Sequence, residues 1–324
     1  MLSRRSFLEA IPLGAAAQAA LATKVDSKTG MPTRVFGKTG ARISVLAMGC
    51  GSRLLSYQEE DKAIAALDKG MAAGINYLDT AYGYGNGKSE SWVGKAIQGK
   101  RKGLWITTKI NVRKGDDAAR ILEGSLKRLG LDQIDLIHVH ALGGADDLAA
   151  VEAPGGVLKH LYKLRDQKVT RFIGVTSHTD PETLKAALER NDFDCVQMAL
   201  NAALVGMKDG KGKMDINRDL KTSFELLALP VALKKKMGIT AMKVYGQEGL
   251  VGAAPLDKLL NYALTLPVAA AVVGMPKLEY IDENVRMARA FKRLGKSEMR
   301  DMSGKLSKEY KARLDEFFRD HVDA

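Results

Sequence analysis

Residues 104–140 read LWITTKINVRKGDDAARILEGSLKRLGLDQIDLIHVH and contain the unit that decides the fold. Two short apolar runs, Leu104–Thr108 and Ile134–Val139, have the composition of β-strands. The segment between them repeats apolar residues at helical spacing, at Ala119, Ile121, Leu122, Leu126 and Leu129. Apolar strands joined by a helix predict parallel pairing, because a parallel crossover needs the helix and buries both faces of the sheet.

The same strand–helix unit recurs along the chain. The predicted strands are Val45–Met48, Tyr77–Leu78, Leu104–Thr108, Ile134–Val139, Phe172–Val175, Cys195–Ala199, Ile239–Met242 and Val268–Val273. Eight units in about 250 residues predict an α/β fold of the (β/α)₈ TIM-barrel type. A doubly wound Rossmann sheet is the rival fold. It is disfavoured because Gly49-Cys50-Gly51-Ser52, after the first strand, lacks the third glycine of the dinucleotide-binding pattern.

The remaining segments fit one domain. Thr33–Phe36 and Ala41–Ser44 flank a glycine-bounded turn and predict an N-terminal β-hairpin. Ser307–Phe318 predicts an extra amphipathic helix packed on the outside near the C-terminus. We therefore expect a single barrel domain over residues 32–324, preceded by a linker at 23–31.

The first residues have the pattern of an export signal. Paired arginines at positions 4 and 5 precede the apolar stretch Ile11 to Ala22, which ends in the small-residue pattern Ala20-Leu21-Ala22. This order resembles a twin-arginine signal peptide over residues 1–22, which predicts the twin-arginine export machinery as a partner and a periplasmic or exported location. That route implies a protein folded with its cofactor in the cytoplasm. The apolar stretch is shorter than the roughly 20 residues that a membrane-spanning helix needs, so no stable membrane span is expected. An amphipathic leader helix is the alternative, which Pro12 and Gly14 disfavour.

Composition excludes several other classes of protein. The 324 residues are 46% hydrophobic and carry a net charge of +12, but the basic residues are spread along the whole chain, so we expect no nucleic-acid partner. Cys50 and Cys195 form no CxxC pair, which predicts buried free thiols. Five histidines without an HExxH motif predict no metal site.

Four polar residues follow predicted strands. Asp79 and Tyr84 come after the second strand, Lys109 ends the third and His140 ends the fourth. In this type of barrel the active site lies at the C-terminal ends of the strands, so we expect these side chains to meet at one mouth. Each residue type taken singly is more often structural. His138, a residue pair below its strand end, is assigned to the packed interior.

This set of side chains suits carbonyl reduction. Hydride delivery to a carbonyl carbon builds negative charge on oxygen, which must be stabilised and protonated. Tyr84 could supply the proton, and the ammonium of Lys109 would favour its phenolate. Asp79 would hold the lysine charged, and His140 would hydrogen-bond the carbonyl oxygen.

The motifs resemble the aldo-keto reductase family. They are GINYLDTAYGYG at 74–85, Ser89-Glu90, Thr107-Thr108-Lys109, and Ile134-Asp135-Leu136 before His140. The resemblance covers nearly all of residues 32–295. It implies that the hairpin closes the bottom of the barrel and that Asp79, Tyr84, Lys109 and His140 take the four catalytic places.

The resemblance also implies a set of contacts to a nicotinamide cofactor. GVTSH at 174–178 stands where the family shows GVSN, Met242-Lys243-Val244 stands where Ser-Pro-Leu is usual, and the loop after the eighth strand meets the adenosine phosphates. The predicted cofactor-binding residues are Gly49, Cys50, Thr176, Ser177, Gln197, Met242, Lys243, Gly274, Met275, Lys277, Glu283 and Asn284. NADPH (NADP) is favoured over NADH (NAD) because Lys277 is the cation nearest to the place of a 2′-phosphate.

Three functions remain open from the sequence. The first is an NAD(P)H-dependent oxidoreductase that reduces an aldehyde or ketone, a small-molecule carbonyl substrate. The second is a non-catalytic nicotinamide-binding regulatory or sensor subunit on the same barrel. The third is a lyase or isomerase that uses Lys109 as a Schiff-base nucleophile.

Overall fold

The computed structural model describes residues 22–206 and 223–309. The predicted signal peptide lies outside the described residues except for its last residue, Ala22, and so do the residues of the predicted C-terminal helix beyond position 309. Within the described ranges, no helix combines the length and the apolar composition that crossing a bilayer requires.

Eight parallel strands close into a barrel. They are β4 (Leu46–Gly49), β5 (Tyr77–Asp79), β6 (Trp105–Ile110), β7 (Ile134–Val139), β8 (Thr170–Ser177), β9 (Cys195–Ala199), β10 (Gly238–Met242) and β11 (Ala270–Val273). The strands follow chain order around the ring, and β11 pairs with β4 to close it. The predicted (β/α)₈ barrel is confirmed, and the strand ends differ from the predicted ones by at most two residues.

Every barrel strand is followed by at least one helix. In chain order these are α1 (Ser52–Leu55), α2 (Glu60–Ala72), α3 (Lys88–Ile97), α4 (Gly115–Leu129), α5 (Ala145–Glu152), α6 (Val157–Asp166), α7 (Pro181–Arg190), α8 (Phe224–Lys234), α9 (Leu256–Thr265) and α10 (Leu278–Arg289), and a final helix, α11 (Lys296–Glu309), follows. Their apolar faces pack on the outside of the barrel. This arrangement leaves the loops at the C-terminal strand ends to form a mouth.

Helix α11, the last helix of the described residues, begins at Lys296 and includes Ser307, where the predicted C-terminal helix begins. The pattern that starts it is a buried stripe of Met299, Ser303 and Leu306, and residues four and three apart share one face of a helix. The sequence did not predict the part of α11 before Ser307, because Met299 and Ser303 lie in an otherwise polar stretch and do not form a clear apolar pattern.

A small sheet precedes the barrel. The predicted hairpin is present as β2 (Pro32–Val35) and β3 (Arg42–Ser44), joined through a 3₁₀ turn. The segment predicted as a linker at 23–31 adds a third strand, β1 (Lys24–Val25), antiparallel to β2. A local turn brings β1 alongside β2: the Asp26 side chain accepts hydrogen bonds from the backbone of Lys28 and Thr29, which turns the chain back on itself.

The hairpin closes the N-terminal end of the barrel. Phe36 is fully buried, and its ring meets Tyr77 and Trp105 edge-on with centroids 5.8 and 5.3 Å apart. Tyr77 and Trp105 are the first residues of β5 and β6. An added Cβ at Gly238 would lie 2.8 Å from the Phe36 ring, so only glycine leaves room for this plug.

Side chains that point inward change character along the strands. The lower layer is apolar and includes Tyr77, Trp105 and Leu136. Inward positions recur every second residue along a strand. Toward the C-terminal end, Tyr77 is therefore followed by Asp79 in β5, and Trp105 is followed by Thr107 and then Lys109 in β6. The interior therefore turns from an aromatic base into a charged mouth.

His138 lies in the packed interior, in agreement with its structural assignment. It is fully buried, and an added Cβ at Gly174 would lie 2.5 Å from its Nδ1. Burial, and after it the charge of Lys109, holds the pKa of His138 well below its usual value. The neutral imidazole fills the space that Gly174 leaves.

Candidate active site

The four predicted catalytic side chains meet at the barrel mouth. Asp79 is the last residue of β5, Lys109 lies near the end of β6, and His140 follows β7. Tyr84 lies in the loop between β5 and α3. All four line one cleft, so residues spread over about sixty positions of sequence converge because their strands are neighbours in the ring.

Lys109 is the centre of the cluster. Its Nζ donates to Asp79 Oδ2 at 2.7 Å, to the carbonyl oxygen of Thr80 at 2.9 Å and to the Tyr84 hydroxyl at 3.4 Å. The side chain is only 2% exposed. The three donors of the ammonium are thus directed at three oxygens, which fixes its position.

Burial alone would lower the pKa of Lys109, because it disfavours the charged form. The charge of Asp79, the interaction with Tyr84 and the two hydrogen bonds outweigh burial, and the pKa of Lys109 is raised. The amine is therefore an ammonium at neutral pH.

The ring of Tyr84 is held on three sides. His140 meets it edge-on, with centroids 5.5 Å apart at 83°. The Lys109 ammonium lies 4.9 Å from the ring centroid. An added Cβ at Gly51 would lie 3.3 Å from Tyr84 Cζ, so the loop after β4 packs against the phenol.

The cleft extends from Tyr84 across the mouth. Six predicted cofactor-binding residues line it: Gly49, Thr176, Gln197, Met242, Lys243 and Gly274. The lining residues that were not predicted from the sequence include Gly51, Arg53, His178, Tyr245, Gln247 and Glu248.

Three predicted cofactor-binding side chains do not line the cleft. Cys50 is fully buried and its Sγ donates to the Met48 carbonyl, the Ser177 hydroxyl donates to the Leu142 carbonyl, and Met275 is 1% exposed. Each directly follows a residue that lines the cleft. For Cys50 and Ser177 the difference is expected, since neighbours along an extended chain point to opposite sides. The three side chains therefore face away from the cleft, and their assignment to cofactor binding stays a prediction.

The other three predicted residues lie beside the cleft, at α10. Lys277 precedes the helix and is exposed, with Nζ 5.7 Å from the Tyr280 ring centroid. Glu283 is half-buried. Asn284 is buried and accepts a hydrogen bond of 2.7 Å from the hydroxyl of Tyr245, which connects α10 to the cleft wall.

An ion pair connects two loops of the cleft. Arg53 Nε in α1 lies 3.0 Å from Glu248 Oε1 in the loop after β10. That loop contains three non-glycine residues with left-handed φ: Lys243, Gln247 and Glu248, at 59°, 55° and 75°. Such conformations concentrate at ligand-binding sites.

A model of the aldo/keto reductase family matches residues 47–220, more than half of the chain. The chain belongs to the aldo/keto reductase family. It is similar to YqkF, an uncharacterised oxidoreductase of Bacillus subtilis, with 28% identity over 87% of this chain and 99% of the relative. It is also similar to the L-galactose dehydrogenase of Arabidopsis thaliana, with 26% identity over 82% of this chain and 91% of the relative.

Solved aldo-keto reductases share the fold. The holo form of an enzyme from Bacillus halodurans has a TM-score of 0.67 and 22% identity and covers 87% of this chain and 99% of its own. An enzyme from Klebsiella pneumoniae, solved in complex with NADPH, has a TM-score of 0.67 and 20% identity and covers 86% of this chain and 97% of its own.

The cleft of this aldo/keto reductase fits a nicotinamide nucleotide. Asp79 Oδ1 and Gln197 Oε1 are buried and have no hydrogen-bond partner among the described residues, and buried acceptors of this kind need a donor such as a carboxamide N–H. At Gly49 an added Cβ would lie 3.2 Å from the nitrogen of Gly274. Both residues are glycines, so no side chain covers the backbone where β4 meets β11. Arg53, which pairs with Glu248, and Lys243 also line the cleft and carry positive charge of the kind that phosphates require.

The residues described contain no cluster of three histidine, cysteine or acidic side chains placed to hold a metal ion. Cys50 and Cys195 are both buried free thiols, as predicted. Burial raises the pKa of Cys50 to about 12, which keeps it protonated.

Proposed function

We propose that this aldo/keto reductase reduces an aldehyde or ketone to the alcohol with a nicotinamide nucleotide, NADPH in preference to NADH. The observation that carries the proposal is the cluster in which Lys109 Nζ lies 3.4 Å from the Tyr84 hydroxyl and 2.7 Å from Asp79. The cluster is at the cleft mouth, where a carbonyl compound can reach it.

The chain's own groups handle the proton. A reduced nicotinamide, when bound, supplies hydride to the carbonyl carbon. Tyr84 donates its hydroxyl proton to the carbonyl oxygen as negative charge develops there. The Lys109 ammonium stabilises the phenolate that remains, and Asp79 keeps the ammonium in place. His140, edge-on to the Tyr84 ring, is placed to hydrogen-bond the same carbonyl oxygen.

The walls of the cleft hold the cofactor in this proposal. Gln197 Oε1 would accept the carboxamide N–H, Thr176 and Met242 would border the nicotinamide, and Arg53 and Lys243 would pair with the phosphates. Neighbours of the same fold were solved with NADPH or NADP, which supports NADPH. Lys277, exposed before α10, is the cation that we assign to a 2′-phosphate.

Fluorescence titration with NADPH and NADH, followed by an aldehyde and ketone screen, tests the proposal. Tyr84→Phe should bind the nucleotide normally and lose about 100-fold or more in kcat, because the proton donor is gone. Tyr57→Phe is the matched control, since the Tyr57 hydroxyl is buried without a partner among the described residues. Full activity in Tyr84→Phe would remove the proposed donor. Tight nucleotide binding without turnover of any carbonyl would favour the sensor function, and borohydride trapping of a substrate on Lys109 would favour the Schiff-base alternative.

We further propose that residues 1–22 direct export by the twin-arginine route after the protein has folded with its cofactor. The support is the sequence pattern with Arg4 and Arg5. Fractionation of cells that express the full chain should place the mature protein in the periplasm with nucleotide bound. Arg4→Lys/Arg5→Lys should retain it in the cytoplasm, and mature periplasmic protein in that variant would contradict the proposal.

A further inference from the structure

Glu90, in α3, is a buried carboxylate that the proposed mechanism does not use. Its exposed fraction is 0%. Oε1 accepts a hydrogen bond of 2.5 Å from Thr108 Oγ1, and Oε2 lies 2.8 and 2.7 Å from Nε and Nη2 of Arg128 in α4. The Arg128 side chain is 27% exposed, so the carboxylate of Glu90 is the charge that is fully removed from water. Burying a charge costs desolvation that its partner only partly offsets, so the pair contributes little net stability and its presence needs another explanation.

One end of this pair reaches the strand that carries Lys109. Thr108 directly precedes Lys109 in β6, and neighbours in a strand point to opposite faces. Thr108 therefore points out of the barrel and Lys109 points inward. The hydrogen bond from Thr108 to Glu90 fixes β6 from the outside, one residue before the lysine.

The other end reaches the loop that carries Tyr84. The Arg128 guanidinium lies 5.2 Å from the centroid of the Tyr82 ring, a distance at which a cation and a ring attract. The Tyr82 carbonyl accepts a hydrogen bond of 2.7 Å from the backbone of Gly87, which closes the loop. An added Cβ at Gly87 would lie 2.4 Å from Arg128 Nε, so glycine is what lets the guanidinium enter.

We propose that Glu90 and Arg128 are positioning residues that fix the strand of Lys109 against the loop of Tyr84, and so set the separation between ammonium and phenol. The inference rests on the proposed function, in which Tyr84 is the proton donor. The separation of 3.4 Å is at the long end of a hydrogen bond, so further displacement breaks it.

The test compares Glu90→Gln and Arg128→Met with a matched pair at the other end of the barrel. Arg101 pairs with Asp135, whose side chain is 2% exposed and which also pairs with Arg171. Arg101→Met therefore disturbs a buried carboxylate far from the mouth without leaving it unpaired. If Arg128→Met fails to fold, Tyr82→Leu releases the loop without leaving a charge unpaired, and Tyr82→Phe keeps the ring as its control.

Two readouts are measured on every variant in the mature protein. The first is an ultraviolet difference titration against the same variant with Tyr84→Phe, which isolates the ionisation of Tyr84 and needs no turnover. The second is the pH profile of kcat/KM for reduction. Because a weaker contact with the ammonium favours the neutral phenol, we expect the apparent pKa of Tyr84 to rise by about 0.5 to 1 unit. We expect kcat/KM to fall about 10- to 100-fold with the alkaline limb moved to higher pH.

Arg101→Met and Tyr82→Phe should leave both readouts unchanged, apart from a lower unfolding midpoint in Arg101→Met. An unshifted Tyr84 titration in Glu90→Gln, Arg128→Met and Tyr82→Leu would overturn the inference, as would an equal shift in Arg101→Met. A wild-type protein that turns over no carbonyl would refute the proposed function, whereas the titration would still decide whether the pair positions the phenol.

Discussion

Lys109 and Asp79 form an ion pair of 2.7 Å whose side chains are only 2% and 4% exposed. Both charges are largely removed from water, so each depends mainly on the other and on a few fixed dipoles. Gln197 Nε2, at 3.2 Å from Asp79 Oδ2, and the carbonyl oxygen of Thr80 supply those dipoles. Removing either charge should therefore affect stability and activity together.

Lys109→Met leaves a buried carboxylate unpaired and should lower the free energy of unfolding by about 3–5 kcal/mol, with kcat reduced by about 100-fold or more. Asp79→Asn should cost less, because an amide can still accept from the ammonium. The double variant should lose less than the sum of the two single variants. Denaturant unfolding and steady-state kinetics measure both effects, and strictly additive losses would show that the two side chains are not coupled.

The raised pKa of Lys109 fixes the pH range of its contribution. A lysine whose pKa is higher in the folded than in the unfolded protein stabilises the fold fully below the unfolded value, about 10.4, and this stabilisation is lost as pH rises through the folded pKa. The stability difference between wild type and Lys109→Met should therefore be fully present up to about pH 9 and shrink above about pH 10.4. Urea unfolding at a series of alkaline pH values measures it, and a difference that stays unchanged well above about pH 10.4 would contradict the assignment.

Arg113 should affect His140 through the backbone. Its guanidinium pairs with Asp147 at 2.6 Å and donates to the carbonyl oxygens of His140 and Ala141 at 2.9 and 3.2 Å, where Ala141 has φ of +52°. Arg113→Met should release this turn and lower kcat/KM about 10-fold with nucleotide affinity unchanged. Arg120→Met, at an exposed pair, is the control. Equal kinetics in the two variants would exclude a role for the hydrogen bonds from Arg113 to the backbone of His140 and Ala141.

Gly174→Ala should destabilise the barrel from within. The added Cβ would lie 2.5 Å from His138 Nδ1 and 2.6 Å from the carbonyl oxygen of Cys195, and the backbone cannot yield easily. We expect a loss of about 1–3 kcal/mol in the free energy of unfolding. Gly304→Ala in α11, where a Cβ meets nothing within 4 Å, should instead gain about 0.5–1 kcal/mol. Thermal unfolding of both proteins is the measurement, and a neutral Gly174→Ala would show that His138 can move aside.

The Arg53–Glu248 pair should slow release of the nucleotide. The pair connects the loops after β4 and β10 but its side chains are 26% and 47% exposed, so its contribution is modest. Glu248→Gln should raise the dissociation rate of NADPH about two- to fivefold at low salt, and the difference should shrink at high salt. Stopped-flow fluorescence measures the rate. A salt-independent difference would point to a contact other than the ion pair.

The barrel was predictable because each strand–helix unit is local. Apolar runs of strand length alternate with helical spacing, and the rule that active sites lie at C-terminal strand ends brings Asp79, Lys109 and His140 together. Tyr84 follows from the short loop after β5. Strand β1 escaped prediction because two exposed residues, Lys24 and Val25, carry no periodicity, and their pairing with β2 is fixed by the turn at Asp26.

The cleft walls were only partly predictable. Side chains alternate in direction along β8 and the residue after it. Thr176 and His178 therefore line the cleft, whereas Ser177 between them does not. The same rule, applied to the sequence, would have found Gly51 and rejected Cys50. Arg53 and Glu248 meet across the closure of the ring, far apart in the chain, and no short-range pattern reports such a contact.

The contact between Gly51 and Tyr84 links two loops of different strands. A side chain larger than hydrogen at position 51 would press on the phenol unless the ring moved by a few tenths of an ångström, so the loop after β4 packs directly against the loop after β5. Over evolution or in a mutant library, a new substrate preference should therefore arise by changes in the other loops of the mouth, while the loops after β4 and β5 should change together.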